Sequence, residues 1–431
     1  MKKSALLALL AVSANSIFGQ DFQNNKTDSI SYYFREIREA TAKGTKIWNK
    51  DLYGEILLVD PESRQFYSNE KSITSDPNHS EEIFGGKLPD TINIANTSIQ
   101  WRGRNWAMIM LPLSADKHDR INLMAHELFH KAQNSLGFTQ RNKQSDHLDQ
   151  RDGRFYLRLE LEALLKAIVS DSSKEQKKYL TDAISFRNYR HSIFPSSASI
   201  ENELELNEGL AEYTGFMISS RDRKQVKDHF TEGVNTFIKN PTYVRSFAYQ
   251  TIPMYGYLLN SKEPYWNQQI TNDSDLTQFF SNHFQIKTKT LFKKDIEKLA
   301  ENYNGPLIFK EEQIRADKIK KLIDNYKLKF IEKPHLEIHF EKMSVSFDPR
   351  NILPIEDKGT VYPQIRVTDT WGILDVHNGA LMSKNWDKIT ITAPLKMYDP
   401  KIEGDGWTLL LDKAYTIRKD DKTGNFTISK K

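Results

Sequence analysis

The spacing of apolar and polar positions changes twice along this chain. Tyr32–Ala42 predicts a helix, and Gly54-Glu-Ile-Leu-Leu-Val-Asp60 predicts a strand that Pro61-Glu-Ser-Arg64 turns into Gln65-Phe-Tyr-Ser68, a hairpin. Two more strands are expected at Thr91–Trp101 and Trp106–Leu113, joined by Arg102-Gly-Arg-Asn105. The second runs into a helix that Ser114 can cap and Gly137 can end. Helical periodicity then dominates at 155–169, 175–194, 200–219, 244–259 and 291–302, and one face carries Ile319, Leu322, Ile323 and Tyr326. From Pro334 the period becomes two: Leu336, Ile338 and Phe340 alternate with polar residues, and Met343, Val345 and Phe347 do so after a one-residue slip that predicts a bulge. The pattern is that of an α+β chain whose last part, 334–431, is an all-β domain.

Composition narrows the class. A length of 431 residues predicts two or three domains. Lys and Arg exceed Asp and Glu by a formal +4, of which Lys2 and Lys3 supply two units. The body is near neutral, so no nucleic-acid partner is expected. The chain has no cysteine, which excludes disulfides, thiol nucleophiles and cysteine-bound zinc, and leaves His, Asp and Glu as metal ligands. Met1-Lys2-Lys3, the apolar run Ala5–Ala14 and the small residues to Gly19 resemble a secretory signal peptide over 1–19, with the cut after Ala14 or Gly19. No later stretch reaches the roughly 20 apolar residues of a membrane span. The expectation is an exported protein, periplasmic or extracellular, without a transmembrane segment.

The candidate chemistry starts at His126-Glu127-Leu128-Phe129-His130. Residues four apart on a helix share a face, so both imidazoles can reach one ion while Glu127 stands beside them as a proton acceptor. A second helix carries Glu205, Glu208 and Glu212 at i, i+3 and i+7 beside an apolar stripe of Leu206, Leu210, Tyr213 and Met217. Gly209 inside it costs about 1 kcal/mol relative to Ala, which makes sense where another group approaches closely. His335, Glu337 and His339 also share a strand face, and are read as an ordinary exposed polar face.

His126-Glu-Leu-Phe-His130 followed by Asn207-Glu208-Gly-Leu-Ala-Glu-Tyr213 resembles the gluzincin zinc metallopeptidases, the clan of thermolysin and the zinc aminopeptidases. The remaining text is similar to exported bacterial proteins, which lends no substrate. The resemblance implies a zincin-like catalytic domain: a β-rich part over 20–137 ending in the HExxH helix, with Trp106–Leu113 placed as the edge strand, and a mainly helical part over 138–333. It implies Zn2+ held by His126, His130 and Glu208, with Glu127 as general base. Glu212 takes the place of an acid that steadies a ligand histidine, with Glu205 as a further candidate. Phe247–Leu259 is similar to the aminopeptidase segment whose tyrosine binds the oxyanion, which points to Tyr249, with Tyr255 as the fallback, although Ile252 stands where the family has Gly. The 78-residue step from His130 to Glu208 is longer than the family's, so extra helices are expected. No Gly-Ala-Met-Glu-Asn element is present to hold a free amino terminus.

The resulting expectation is a secreted zinc metallopeptidase, an endopeptidase rather than an aminopeptidase, acting on peptides or unfolded protein. Two rivals remain. One is a non-catalytic zinc-containing protein whose β domain binds a partner or surface polymer; the other is a zinc hydrolase of a non-peptide bond. Glu127, unnecessary for holding metal, favours an enzyme.

Overall fold

A computed structural model describes residues 29–70, 83–89, 92–139, 145–287, 291–347, 352–355 and 357–431. The expected leader, 1–19, lies outside them. The chain is mixed α and β, a helical part followed by a C-terminal β-rich region. Contacts divide it into two units, the first made of the described residues up to His147 with Tyr156–Lys239 and Val244–Asn304, the second of Leu148–Phe155, Asn240–Tyr243 and Gly305–Lys431.

In the first unit, β1 (Ile56–Val59), β2 (Gln65–Ser68), β3 (Phe84–Lys87), β4 (Thr97–Trp101) and β5 (Arg104–Met110) form one sheet in the order β3-β2-β1-β5-β4. β1 and β5 are parallel and the other neighbours antiparallel. Arg102 and Gly103, at φ 51° and 76°, make the two-residue turn whose twist matches paired strands and fold β4 onto β5. This corrects the expected edge position of Trp106–Leu113. β5 is paired on both sides, and the edge strands are β3 and, next to β5, β4. The unbroken buried run Trp106–Ile109 is what a central strand covered on both faces requires.

Helix α1 spans 29–43. α2 (Lys117–Ala132) packs on β5 and begins at Asp116, whose carboxylate accepts the N–H groups of His118 and Asp119; the cap is therefore not Ser114. It ends through a 3-10 turn, Gln133–Leu136, and Gly137 at φ 88°. α3 (Arg151–Val169) and α4 (Ser173–Ile193) follow. α5 (Ser197–Leu204), a π-turn over Glu205–Gly209 and α6 (Leu210–Ile218) make one continuous helical run, with Leu210 N–H donating to Glu205 carbonyl across the widened turn. α7 (Arg223–Phe237), α8 (Ala248–Asn260), α9 (Leu276–His283) and α10 (Lys293–Ala300) complete the unit.

Two glycines set the spacing around the long run. A Cβ at Gly215 would stand 2.4 Å from the Asn122 carbonyl oxygen, and one at Gly209 would stand 2.6 Å from Ile252 Cγ1. α6 thus lies directly against α2 on one side, while α8 closes on the π-turn from another.

In the second unit, α11 (Gly305–Lys327) precedes the strands, so the compact unit starts earlier than residue 334. Strands Lys396–Tyr398, Lys401–Gly404, Trp407–Leu411, Gly372–Val376, Ile365–Asp369 and Ser344–Phe347 form one sheet in that order. Tyr415–Lys419, Phe426–Lys430, His335–His339, Lys388–Thr392, Ala380–Met382, Gly359–Tyr362 and Leu353–Ile355 form the other. One apolar core contains Leu336, Ile338 and Ile389 from one sheet with Val367, Leu374 and Trp407 from the other. The slip between Phe340 and Met343 is the place where the chain leaves one sheet for the other, rather than a bulge. His335 is buried and Glu337 pairs with Lys388 at 2.8 Å, so that row is not a uniformly exposed face.

Candidate metal centre

α2 presents His126 and His130 one turn apart, and the π-turn brings Glu208 to them. His126 Nε2 and His130 Nε2 are 3.1 Å apart, and Glu208 Oε2 lies 3.2 Å from His130 Nε2 and 3.5 Å from His126 Nε2. These three side chains form a group that could hold a metal ion. The far ring nitrogens are also engaged. His126 Nδ1 donates to Glu212 Oε2 at 2.9 Å, and His130 Nδ1 donates to Gln133 Oε1 at 3.1 Å. Such bonds fix the tautomer that leaves Nε2 free for a metal.

Opposing charges are concentrated here. Burial opposes a charged His126 ring, but the Glu208 and Glu212 carboxylates outweigh it and lift its pKa to about 10. Burial pushes Glu208 up, yet hydrogen bonds from His126 and His130 hold it well below the usual carboxylate range. Burial raises Glu127, with the two histidines only partly compensating, and its Oε2 is buried without a partner. Tyr249, on α8, hydrogen-bonds Glu208 Oε2 at 2.5 Å and stacks on His126 with ring centres 5.3 Å apart. Burial and the Glu208 charge raise its pKa, so the hydroxyl keeps its proton.

A cavity of about 360 Å³ opens over this group, lined by Asn96, Asp119, Asn122, Leu123, His126, Glu127, Glu212, His229 and Tyr249. Asn96 immediately precedes β4, and its Oδ1 accepts Met110 N–H at 2.8 Å.

Glu205 and Tyr255 are not brought to this place. Glu205 accepts two bonds from Arg187, at 2.6 and 2.9 Å, and one from Thr251 Oγ1 at 2.6 Å. Tyr255 donates to Glu160 Oε1 at 3.0 Å, inside a buried network that also holds Arg187 and Arg190. In a regular helix Glu205 would share a face with Glu208 and Glu212; the π-turn adds a residue to the turn between them, so Glu205 faces α4 while the other two face α2. Gln133, Asn207 and His229 also stand at or beside the site, as do Asn96, Asp119, Asn122 and Leu123 in the cavity lining. Gln133 stands at i+3 from His130, a same-face spacing that signals contact. Asn207 adjoins Glu208. His229 comes from α7, burial and Arg221 hold its pKa down, and nothing local in the sequence marks it.

No family model, curated protein or solved structure matches this chain.

Proposed function

We propose that this protein is a zinc-dependent peptidase of the gluzincin type that cuts within extended or unfolded peptide chains. One observation carries the reading: three ligand atoms meet beside a buried carboxylate oxygen that has no partner. Tetrahedral zinc with bonds of 2.0–2.1 Å needs ligand atoms about 3.3–3.4 Å apart, and the separations are 3.1, 3.2 and 3.5 Å. Two imidazoles and one carboxylate beside an open cavity are the donor set of a catalytic rather than a structural zinc. An orphaned buried acceptor such as Glu127 Oε2 costs about 1–3 kcal/mol, and a water at the candidate metal centre would give it a partner, which supports an enzyme over a non-catalytic metal protein.

Zinc bound here supplies Lewis acidity toward a carbonyl and makes water a better acid. The protein's own groups do the rest. Glu127 takes a proton from the attacking water and delivers it to the leaving nitrogen, a double task that its raised pKa suits. Tyr249 keeps its proton and donates a hydrogen bond from its hydroxyl to the developing oxyanion. Glu212 keeps the proton of His126 on Nδ1. β4 ends the sheet, its outer side pairs with no described strand, and Asn96 at its start lines the cavity. An extended substrate can add to such an edge by backbone hydrogen bonds, which needs no free terminus and supports endopeptidase action. Export rests on the leader-like text at 1–19, and no helix among the described residues is long and apolar enough to cross a membrane.

The test is a library of peptides blocked at both ends, incubated with zinc-loaded protein and read by mass spectrometry. Internal cleavage is expected, and Glu127→Gln should keep the metal while losing about 10²–10⁴ in rate. A variant that cleaves as fast as the parent would remove Glu127 from the mechanism.

A further inference from the structure

Gln133 lies in the 3-10 turn that ends α2 and is 1% exposed. Its Oε1 accepts from His130 Nδ1 at 3.1 Å and its Nε2 donates to Asn207 Oδ1 at 2.9 Å. Asn207, 4% exposed, donates its Nδ2 to Glu208 Oε1 at 3.1 Å. Glu208 Oε2 faces His130 Nε2 at 3.2 Å, so the four side chains close a ring. Two of its members are metal-ligand candidates from different helical elements; the other two are amides that touch neither the cavity nor the ion position.

The directions of the three bonds that pass through the amides follow from the first; the fourth contact, Glu208 Oε2 to His130 Nε2, pairs the two candidate ligand atoms themselves. An imidazole that offers Nε2 to a metal carries its proton on Nδ1. Gln133 must then turn its oxygen to His130 and its nitrogen to Asn207. Asn207 must turn its oxygen to Gln133 and its nitrogen to Glu208. Turning either amide would set donor against donor or acceptor against acceptor in a buried place, which costs about 1–3 kcal/mol for each group left unsatisfied.

We propose that Gln133 and Asn207 are a positioning pair that holds His130 and Glu208 in their ligating orientations before an ion arrives. The inference rests on the metal centre proposed above. A partly exposed glutamate otherwise loses up to about 2 kcal/mol of rotamer freedom when it is fixed, and the ring removes that loss from the binding step. It also ties the end of α2 to the π-turn, so the separation between the ligands from these two elements is set by the protein.

Zinc affinity, measured by competition with a chromogenic chelator, tests the pair. Gln133→Met keeps the volume but neither bond; Asn207→Leu does the same at the other amide. Each should weaken zinc by about 10–100-fold, and the double variant should lose no more than the worse single, because a ring broken once is broken. Gln133→Met with wild-type affinity, or losses that multiply in the double variant, would overturn the proposal. A merely structural role would lower the unfolding temperature of the metal-free protein and leave the affinity of the folded protein unchanged. Should Gln133→Met fail to fold, Asn207→Ser gives the same reading from the other amide. Absence of zinc binding in the wild type would overturn the metal centre together with the pair, whereas tight binding in wild type and variants alike would overturn the pair alone.

Discussion

Glu212 Oε2 accepts from His126 Nδ1 at 2.9 Å across the contact between α2 and α6, and its other oxygen accepts from Asn122 Nδ2 at 2.8 Å. The carboxylate is thus held by a side chain of the same helix whose histidine it orients. Gly215 permits this, since any side chain there would meet the Asn122 backbone. Glu212→Ala should weaken zinc by about 10–100-fold, and Glu212→Gln, which keeps an acceptor, should lose less. Chelator competition measures both, and equal affinity in Glu212→Ala and wild type would make the contact incidental.

Zinc affinity should depend on pH well above the usual histidine range. Burial disfavours the charged His126 ring, but Glu208 and Glu212 hold its pKa at about 10 in the metal-free protein. A metal must displace that proton, so affinity should rise about tenfold per pH unit from pH 7 to 9. A histidine with the ordinary pKa of about 6.5 would instead give a plateau above neutrality. Titration at several pH values distinguishes the two.

Two of the three tyrosines of α8, Tyr249 and Tyr255, should part company. Tyr249 touches Glu208 and lines the cavity, whereas Tyr255 is buried on Glu160. Tyr249→Phe should lower kcat by about 10²–10³, the scale for one oxyanion donor, with little change in stability. Tyr255→Phe should leave kcat alone and cost about 1 kcal/mol in urea unfolding for a lost buried hydrogen bond. The reverse pattern would move the oxyanion donor elsewhere.

Glycine substitutions test how the third-ligand helix is seated. Gly209→Ala drives a methyl into Ile252, and Gly215→Ala drives one into the Asn122 backbone. Overpacking of this kind costs about 1–3 kcal/mol. Ile252→Ala should relieve the first, because a side chain can be cut back. No side-chain change on α2 should relieve the second, where the obstacle is main chain. Thermal unfolding of the parent, Gly209→Ala, Gly215→Ala, Ile252→Ala and the double variant Gly209→Ala/Ile252→Ala reads the result. A penalty of Gly209→Ala as large in the Ile252→Ala background, with Ile252→Ala alone as its reference, as in the parent would contradict the packing described.

Much of this site could be read from the chain because its signals are local. His126 and His130 are one helical turn apart, and Glu127 sits between them. The close approach anticipated at Gly209 is made by Ile252. Glu205 leaves the face of Glu208 and Glu212 because of the π-turn at Glu205–Gly209, which leaves no mark in a 3.6-residue pattern. Tyr255, six residues from Tyr249, points about 120° away on a regular helix, a signal that could have separated the two. β5 had the composition of a strand, but whether a strand is central or at an edge depends on the partner that folds onto it, here β4 through Arg102-Gly103. His229 reaches the cavity by the packing of α7, which no local pattern encodes.

The central claim is that His126, His130 and Glu208 together hold zinc. Its most direct test is the zinc content of wild type and Glu208→Ala after saturation with zinc and removal of the excess by gel filtration, with circular dichroism establishing that both are folded. One zinc per wild-type chain and a strongly reduced content in Glu208→Ala is the predicted result. Equal zinc in the two proteins, or none in the wild type, would contradict it.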